Sequence, residues 1–366
     1  MAIEQLAPPG EAARTDSAPV VRRFLPLASL WWLRPVLTTA VNVVVFAVAA
    51  FFLSKLIPGD PLTVMSGGRL SGAELEAARA SLGLDGPWYE QLWVFLSDLA
   101  QFDFGTSITT GRDIGADLGS RLPATLELVV IGLLATIVVS VPLSFYALTR
   151  KGPAARALLV YARAAGALPE FVIGIAFLFI FYAVLGWAPA PTGRIDPFIA
   201  APEKVTGFPL LDAAIAGDLQ AFGSYADHLV LPVLVLVCAH SALIMKMLII
   251  GLKEAIEEPA TKFRVASGAG RYVVLLSVCR RAAPTAVTTI GMIFGMLLGG
   301  ALVLENLFGL GGLGQFAVDA VNTSDVFALR SVLVLVAAIC LAAYLIVDFT
   351  VMLLDPRRRP GMKGKA

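Results

Sequence analysis

Residues 124–148 read ATLELVVIGLLATIVVSVPLSFYAL, a run from Ala124 to Leu148 in which Glu127 is the sole charge. As a helix rising about 1.5 Å per residue it would cover more than the ~30 Å of a bilayer's hydrocarbon core. In lipid the backbone has no solvent partner, so such a run must be helical. Five further runs reach a similar length, at about 36–57, 168–187, 229–252, 284–304 and 331–354. With 58% hydrophobic and 15% charged residues, the chain has too much apolar surface for one soluble core. The expectation is an all-α, polytopic membrane protein with six transmembrane helices.

The charges between the runs set its orientation. With the N-terminus inside, the segments 1–34, 149–156, 246–281 and 355–366 hold 19 Lys and Arg, against 7 in 58–122, 187–227 and 305–330. Acidic residues run the other way, 7 inside and 17 outside. Positive loops stay in the cytoplasm, so both termini are expected there. The net charge of +1 leaves no basic field for nucleic acid. Cys238, Cys279 and Cys340 are widely spaced, odd in number and placed in or near apolar runs, which reads as small buried hydrophobes rather than a disulfide framework. The first run starts near Val36 and lacks a small-residue cleavage site, so it reads as a retained anchor.

These boundaries divide the chain into a mostly disordered tail (1–34), a first transmembrane helix (35–57), an extracytoplasmic subdomain (58–123), a five-helix core (124–354) and a basic cytoplasmic tail (355–366). The subdomain contains an amphipathic stretch, LSGAELEAARASLGL from Leu70, with Ser71 placed to cap a helix. The outside loop 187–227 carries Pro189, Pro191, Pro197, Pro202 and Pro209 and is expected to be irregular, a contributor to an external gate or docking surface.

An ordered set of motifs follows this layout. LIPGDPLTVMSG from Leu56 ends the first run. ARASLGLDGPWYEQ from Ala78, FGTSI from Phe104 and RLPATLEL from Arg121 lead into the second, where Pro123 reads as a helix-start proline and Glu127 as an outer-interface carboxylate. Between the fourth and fifth runs lies EEPATKFRVASGAGRYVVLLSVCRRAAP, from Glu257 to Pro284. The fifth run begins at Pro284 and carries Gly291, Gly295 and Gly299 at four-residue spacing, a bare face for close helix packing. It leads into LLGGALVLENLFGLGGLGQFAVDAV from Leu297. DFTVMLLDPRRRP from Asp348 to Pro360 is the last motif of the set, with Arg357 to Arg359 as a cytoplasmic anchor.

In this order the motifs resemble the dipeptide and oligopeptide permease family of ABC importers, over about residues 36 to 359. The resemblance implies a coupling loop at 253–283 whose short helix, Thr261, Lys262, Phe263, Arg264, Val265, Ala266 and Ser267, inserts into an ATPase. Gly268 matches the family's loop glycine and supplies a left-handed or tight turn. The chain departs from the pattern at Arg264, where the family usually has Ala, and at Ser267, where it usually has a basic residue. Glu305, Phe308, Gly311, Gly312 and Gly314 match the family's extracytoplasmic signature, with Gly311 standing where proline is common.

The resemblance also implies partners: two ATP-binding subunits or domains, a second homologous permease, and an extracytoplasmic substrate-binding protein, in a prokaryotic cytoplasmic (inner) membrane. ATP and Mg would be bound by those partners, with no cofactor on this chain. The glycine-rich stretch 309–314 carries no lysine and no Walker pattern occurs. No catalytic constellation is legible either: His228 and His240 form no zinc pair, and Ser267 has no evident base. An intramembrane enzyme or a secondary transporter is therefore disfavoured, the latter also by the absence of an internal repeat. Ionisable residues in the runs are costly, which makes Glu170, Glu127 and His240 candidates for the translocation path, with Glu170 alternatively at the cytoplasmic headgroups and His240 alternatively a packing residue. Cargo within the family spans peptides, nickel chelates and opines.

Overall fold

The computed structural model describes residues 32–56, 72–81, 85–164, 166 and 168–354, and every element of regular structure among them is helical. The N-terminal tail, the Pro58–Pro61 motif, Ser71 and the tail after Leu354 lie outside the described residues. In chain order the elements are α1 (Leu33–Ser54), α2 (Ala73–Ser81), α3 (Trp88–Ala100), α4 (Ile114–Thr149), α5 (Pro153–Arg163) and α6 (Glu170–Phe177), which continues as a π-helix over Leu178–Val184. There follow α7 (Pro209–Ala216), α8 (Leu219–Glu257), α9 (Pro259–Ala266), α10 (Arg271–Leu307), α11 (Leu313–Asn322) and α12 (Val326–Leu354).

Among the described residues five helices are long and apolar enough to cross a membrane: α1, α4, α8, α10 and α12. The run expected to be the third span is shorter, Glu170–Val184. It is preceded by the separate amphipathic helix α5, because Gly166, at φ +76, and Pro169 interrupt the helix between them.

Three long helices start earlier than the apolar runs suggest. Asp113 caps α4 by accepting a hydrogen bond from Ala116 N at 2.6 Å, so α4 begins nine residues before Pro123, which lies inside the helix rather than at its start. Ile114 and Leu118 at that end are buried against Leu313 and Phe316 of α11, which stabilises the added turns. Asp218 caps α8 in the same way, accepting from Gln220 N and Ala221 N. Likewise α10 begins at Arg271 and passes through Pro284, where the expected span started. A proline removes one ladder bond, and burial on both sides of Pro284 outweighs that loss.

The core lies where α4, α8 and α10 meet: Leu128, Val129, Leu236, Ile293, Leu297, Leu298, Ala301 and Leu304 are all fully buried. Gly132 is what lets α4 approach α8, since a Cβ there would overlap Leu236. Two of the spaced glycines work as expected, Gly291 receiving Val347 and Gly295 receiving Tyr344 of α12, whereas Gly299 faces open space. α1 is peripheral and packs on α12 and, through Phe51 and Phe95, on α3. One end of the bundle thus carries α3, α7 and α11; the opposite end carries α9.

Candidate functional site

Among the described residues, polar side chains gather at each end of the bundle and between the ends. At the end carrying α11 the chain leaves α10 and wraps around Glu305, which is fully buried. Gly309 and Gly311 take φ of +66 and +67, returning the chain toward the helix it has just left. Gly314 N then donates to Glu305 Oε2 at 2.7 Å and Leu313 N to Thr125 Oγ1 at 2.9 Å. Gly312 and Gly314 leave no room for a side chain: a Cβ on the first would overlap the Glu305 carboxylate, and on the second the backbone of Leu302. Phe308 is buried in the central core. The five signature positions therefore form one turn built around a carboxylate.

Arg194, from the proline-rich loop, enters this turn. Its Nε donates to Leu310 O, while Nη1 lies 3.8 Å from Glu127 Oε2 and Nη2 3.7 Å from Glu305 Oε1. Glu127 also accepts from Leu210 N at 2.9 Å. Both carboxylates are buried. Burial pulls the Arg194 guanidinium below its ordinary value, opposed by Glu305 and Glu127. One cation and two carboxylates at these distances make an ion cluster that ties the loop, α4 and the end of α10 together. Beside it, Asp212 binds Thr206 through its backbone N (2.7 Å) and Oγ1 (2.6 Å) and Gly207 N (3.0 Å). The hydrogen bonds from Thr206 hold the Asp212 carboxyl below the usual aspartate value.

At the opposite end the short helix expected at 261–267 is observed at Pro259–Ala266, with Ser267 as its C-cap and Gly268 at φ +75. Its outer face is open: Phe263 and Val265 are exposed, as are Lys262, Arg264 and Ser267. Its inner face is anchored. Thr261 is buried and donates from Oγ1 to Ala255 O at 2.5 Å. Arg281, on α10, donates to Glu258 Oε2 at 2.8 Å, Thr261 Oγ1 at 2.7 Å and Ser277 Oγ at 2.9 Å. The helix is thus braced on α10 while presenting an apolar and basic surface outward.

Between the ends, Glu170 Oε2 lies 3.0 Å from His240 Nε2. His240 is buried and sits near the middle of α8, and the Glu170 side chain keeps 20% of its exposure. The structure therefore separates the three path candidates: Glu170 and His240 are partners, while Glu127 belongs to the ion cluster. Glu170, at the start of α6, is placed against His240 of α8 and Gly300 of α10.

Arg194 and Arg281 escaped the reading of the sequence. Arg194 carried one signal, as the sole arginine of the 187–227 loop. Arg281 looked like any positive charge at a membrane surface. Among the described residues no three His, Cys, Asp or Glu side chains converge as a metal site.

A family model described as "Binding-protein-dependent transport system inner membrane component" matches residues 131–360, and one described as "Binding-prot-dependent transport system membrane comp, N-term" matches residues 30–129. The chain is 34% identical over 312 residues to the probable D,D-dipeptide transport system permease protein of Escherichia coli, covering 85% of this chain and 92% of the relative. It is 31% identical over 319 residues to the di/tripeptide transport system permease protein of Pseudomonas aeruginosa, with coverages of 84% and 92%. It is 29% identical over 315 residues to the dipeptide transport system permease protein of Alkalihalophilus pseudofirmus, with coverages of 85% and 93%.

Proposed function

The chain belongs to the family of binding-protein-dependent transport system inner membrane components, a multi-pass permease and not itself a catalytic subunit; from that premise we propose that it imports di- and oligopeptides, as one of two permeases served by two ATP-binding subunits and an extracytoplasmic binding protein. The observation that carries the cargo assignment is the match, over some 85% of the chain, to permeases named for dipeptides.

In this reading α5 and α6 together make the sixth crossing, both termini are cytoplasmic, and α9 is the coupling helix. ATP and Mg are held by the partner subunits. When those subunits close, they push on the exposed face of Phe263 and Val265, and Arg281 passes the displacement to α10. The α10 helix ends in the turn around Glu305, so a shift at one end bears on the ion cluster at the other. Docking of the loaded binding protein acts there in the opposite sense.

The test is co-purification with native partners into lipid nanodiscs, followed by ATP hydrolysis with and without binding protein loaded with dialanine. Stimulation by the loaded protein is expected. Failure of any ATP-binding subunit to co-purify would overturn the permease assignment; co-purification without a peptide effect would overturn the cargo assignment alone.

A further inference from the structure

The third apolar segment is broken in the middle of the bundle. Tyr161, in the last turn of α5, makes hydrogen bonds to Cys238 O at 3.0 Å and Ser241 Oγ at 2.6 Å. Glu170, the first residue of α6, contacts His240. Those three partners share one turn of α8, so the junction between α5 and α6, where Ala164 ends one helix, Gly166 takes φ +76 and Pro169 precedes the next, lies at that depth. Ala164, Gly166, Leu168 and Pro169 in it are exposed. Hydrocarbon cannot satisfy irregular backbone, and such segments occur at membrane depth only where protein or a water-filled cavity covers them. The partly exposed Glu170 carboxylate obeys the same restriction, because an ionisable side chain at depth faces the bundle interior or water.

The same open face continues onto α10. Met292, Met296, Gly299 and Val303 follow one another at spacings of four, three and four, and all are exposed. Gly300, at the edge of this stripe, receives Glu170: a Cβ there would overlap both carboxylate oxygens. A glycine at 300 is what allows the charge to lie against α10 at the margin of the open face. Among the described residues His240 is the group hydrogen-bonded to it. One imidazole N–H fills one of about four lone-pair sites on a carboxylate, and the others remain available.

We propose that Glu170, positioned by His240 and Gly300, receives the α-ammonium group of the peptide cargo within the translocation path. The inference rests on the peptide reading above and deepens it. Every unblocked peptide carries that ammonium whatever its side chains, so one carboxylate serves a cargo class without reading sequence. An ammonium would complete the carboxylate's unused acceptor sites with charge-assisted hydrogen bonds. His240 acts as a positioning residue, since its imidazole sets where the carboxylate points.

The experiment measures uptake into proteoliposomes holding the full complex, with binding protein saturated either with dialanine or with propionyl-alanine, which has the same length and lacks the ammonium. Wild type is expected to favour dialanine. Glu170→Gln should lower dialanine uptake by about tenfold or more, the scale of one charge-assisted hydrogen bond, and leave propionyl-alanine uptake unchanged, so that the preference collapses. His240→Gln, which keeps a donor, should retain the preference. If Glu170→Gln lowers both cargoes equally, or lowers neither, the proposal is overturned and Glu170 is a structural tether. If wild type couples ATP hydrolysis to neither cargo, the peptide reading itself falls.

Discussion

Arg281 Nη2 donates to Thr261 Oγ1 at 2.7 Å, and Thr261 Oγ1 donates onward to Ala255 O, so one hydroxyl joins the end of α8, the short helix α9 and the start of α10. Removing the guanidinium also frees Glu258, though that pair is half exposed and adds little. Arg281→Ala is expected to remove roughly 1.5–3 kcal/mol from the seat of α9. Its readout is ATP hydrolysis in the assembled complex, which should persist while its response to loaded binding protein is lost. Arg281→Lys should restore part of that response, and an unchanged response in Arg281→Ala would exclude the brace.

Gly268 tests the turn beside that brace. Its φ is +75 and the space a Cβ would enter is open, so the penalty for a side chain is conformational alone, about 1–2 kcal/mol. Gly268→Asn should be close to wild type in peptide-stimulated hydrolysis, Gly268→Ala intermediate, and Gly268→Pro inactive. Equal behaviour of the Asn and Pro variants would rule out a left-handed requirement.

Gly314 and Gly311 separate space from conformation in the signature turn. Gly311 has positive φ and open surroundings, whereas Gly314 abuts the Leu302 backbone. Gly314→Ala is therefore expected to lose folded protein in detergent-stability assays, and Gly311→Ala to survive with a cost of about 1 kcal/mol. The reverse order would contradict the packing of α11 on α10.

Arg194 neutralises two buried carboxylates. Its replacement by Ala removes the cation that lies 3.8 Å from Glu127 and 3.7 Å from Glu305, a loss of about 3–5 kcal/mol by the usual cost of breaking a buried pair. Thermal unfolding in nanodiscs should fall accordingly, and adding Glu127→Gln to the variant should recover part of the loss. Absence of any recovery would show that the two carboxylates do not share the cation.

Asp212 provides a pH readout outside the spans. Its carboxyl is held below the usual aspartate value of 3.8 by bonds from Thr206, so its contribution is fully present above that pH and is lost as pH falls through the depressed value. Protection of the Thr206 and Gly207 amides, taken as exchange relative to the free-peptide rate at the same pH, should fall below about pH 3.8, and Asp212→Asn should remove that dependence. Loss of protection already at higher pH would point to a different titrating group.

Much of this was legible in order and composition. Spanning-length runs announce helices because lipid permits little else, and Gly268 announced a turn because few other residues take positive φ. Helix starts were misplaced at Pro123 and Pro284, where a proline looks like a boundary and buried neighbours carry the helix through it. The third run starts at 168, close to the observed start of α6 at Glu170, but the separate helix α5 before it was not read from the sequence.

By itself the sequence determined that this chain is helical, lies in a membrane, and carries the ordered motifs of a permease, because those properties depend on local composition and spacing. Only the tertiary structure decided which charges meet. Arg194 reaches Glu127 and Glu305, and Glu170 reaches His240, across separations of some seventy residues or more in the chain. Such pairings follow from how α4, α8 and α10 pack and from where Gly300 and Gly314 leave room, and no local pattern in the chain encodes that geometry.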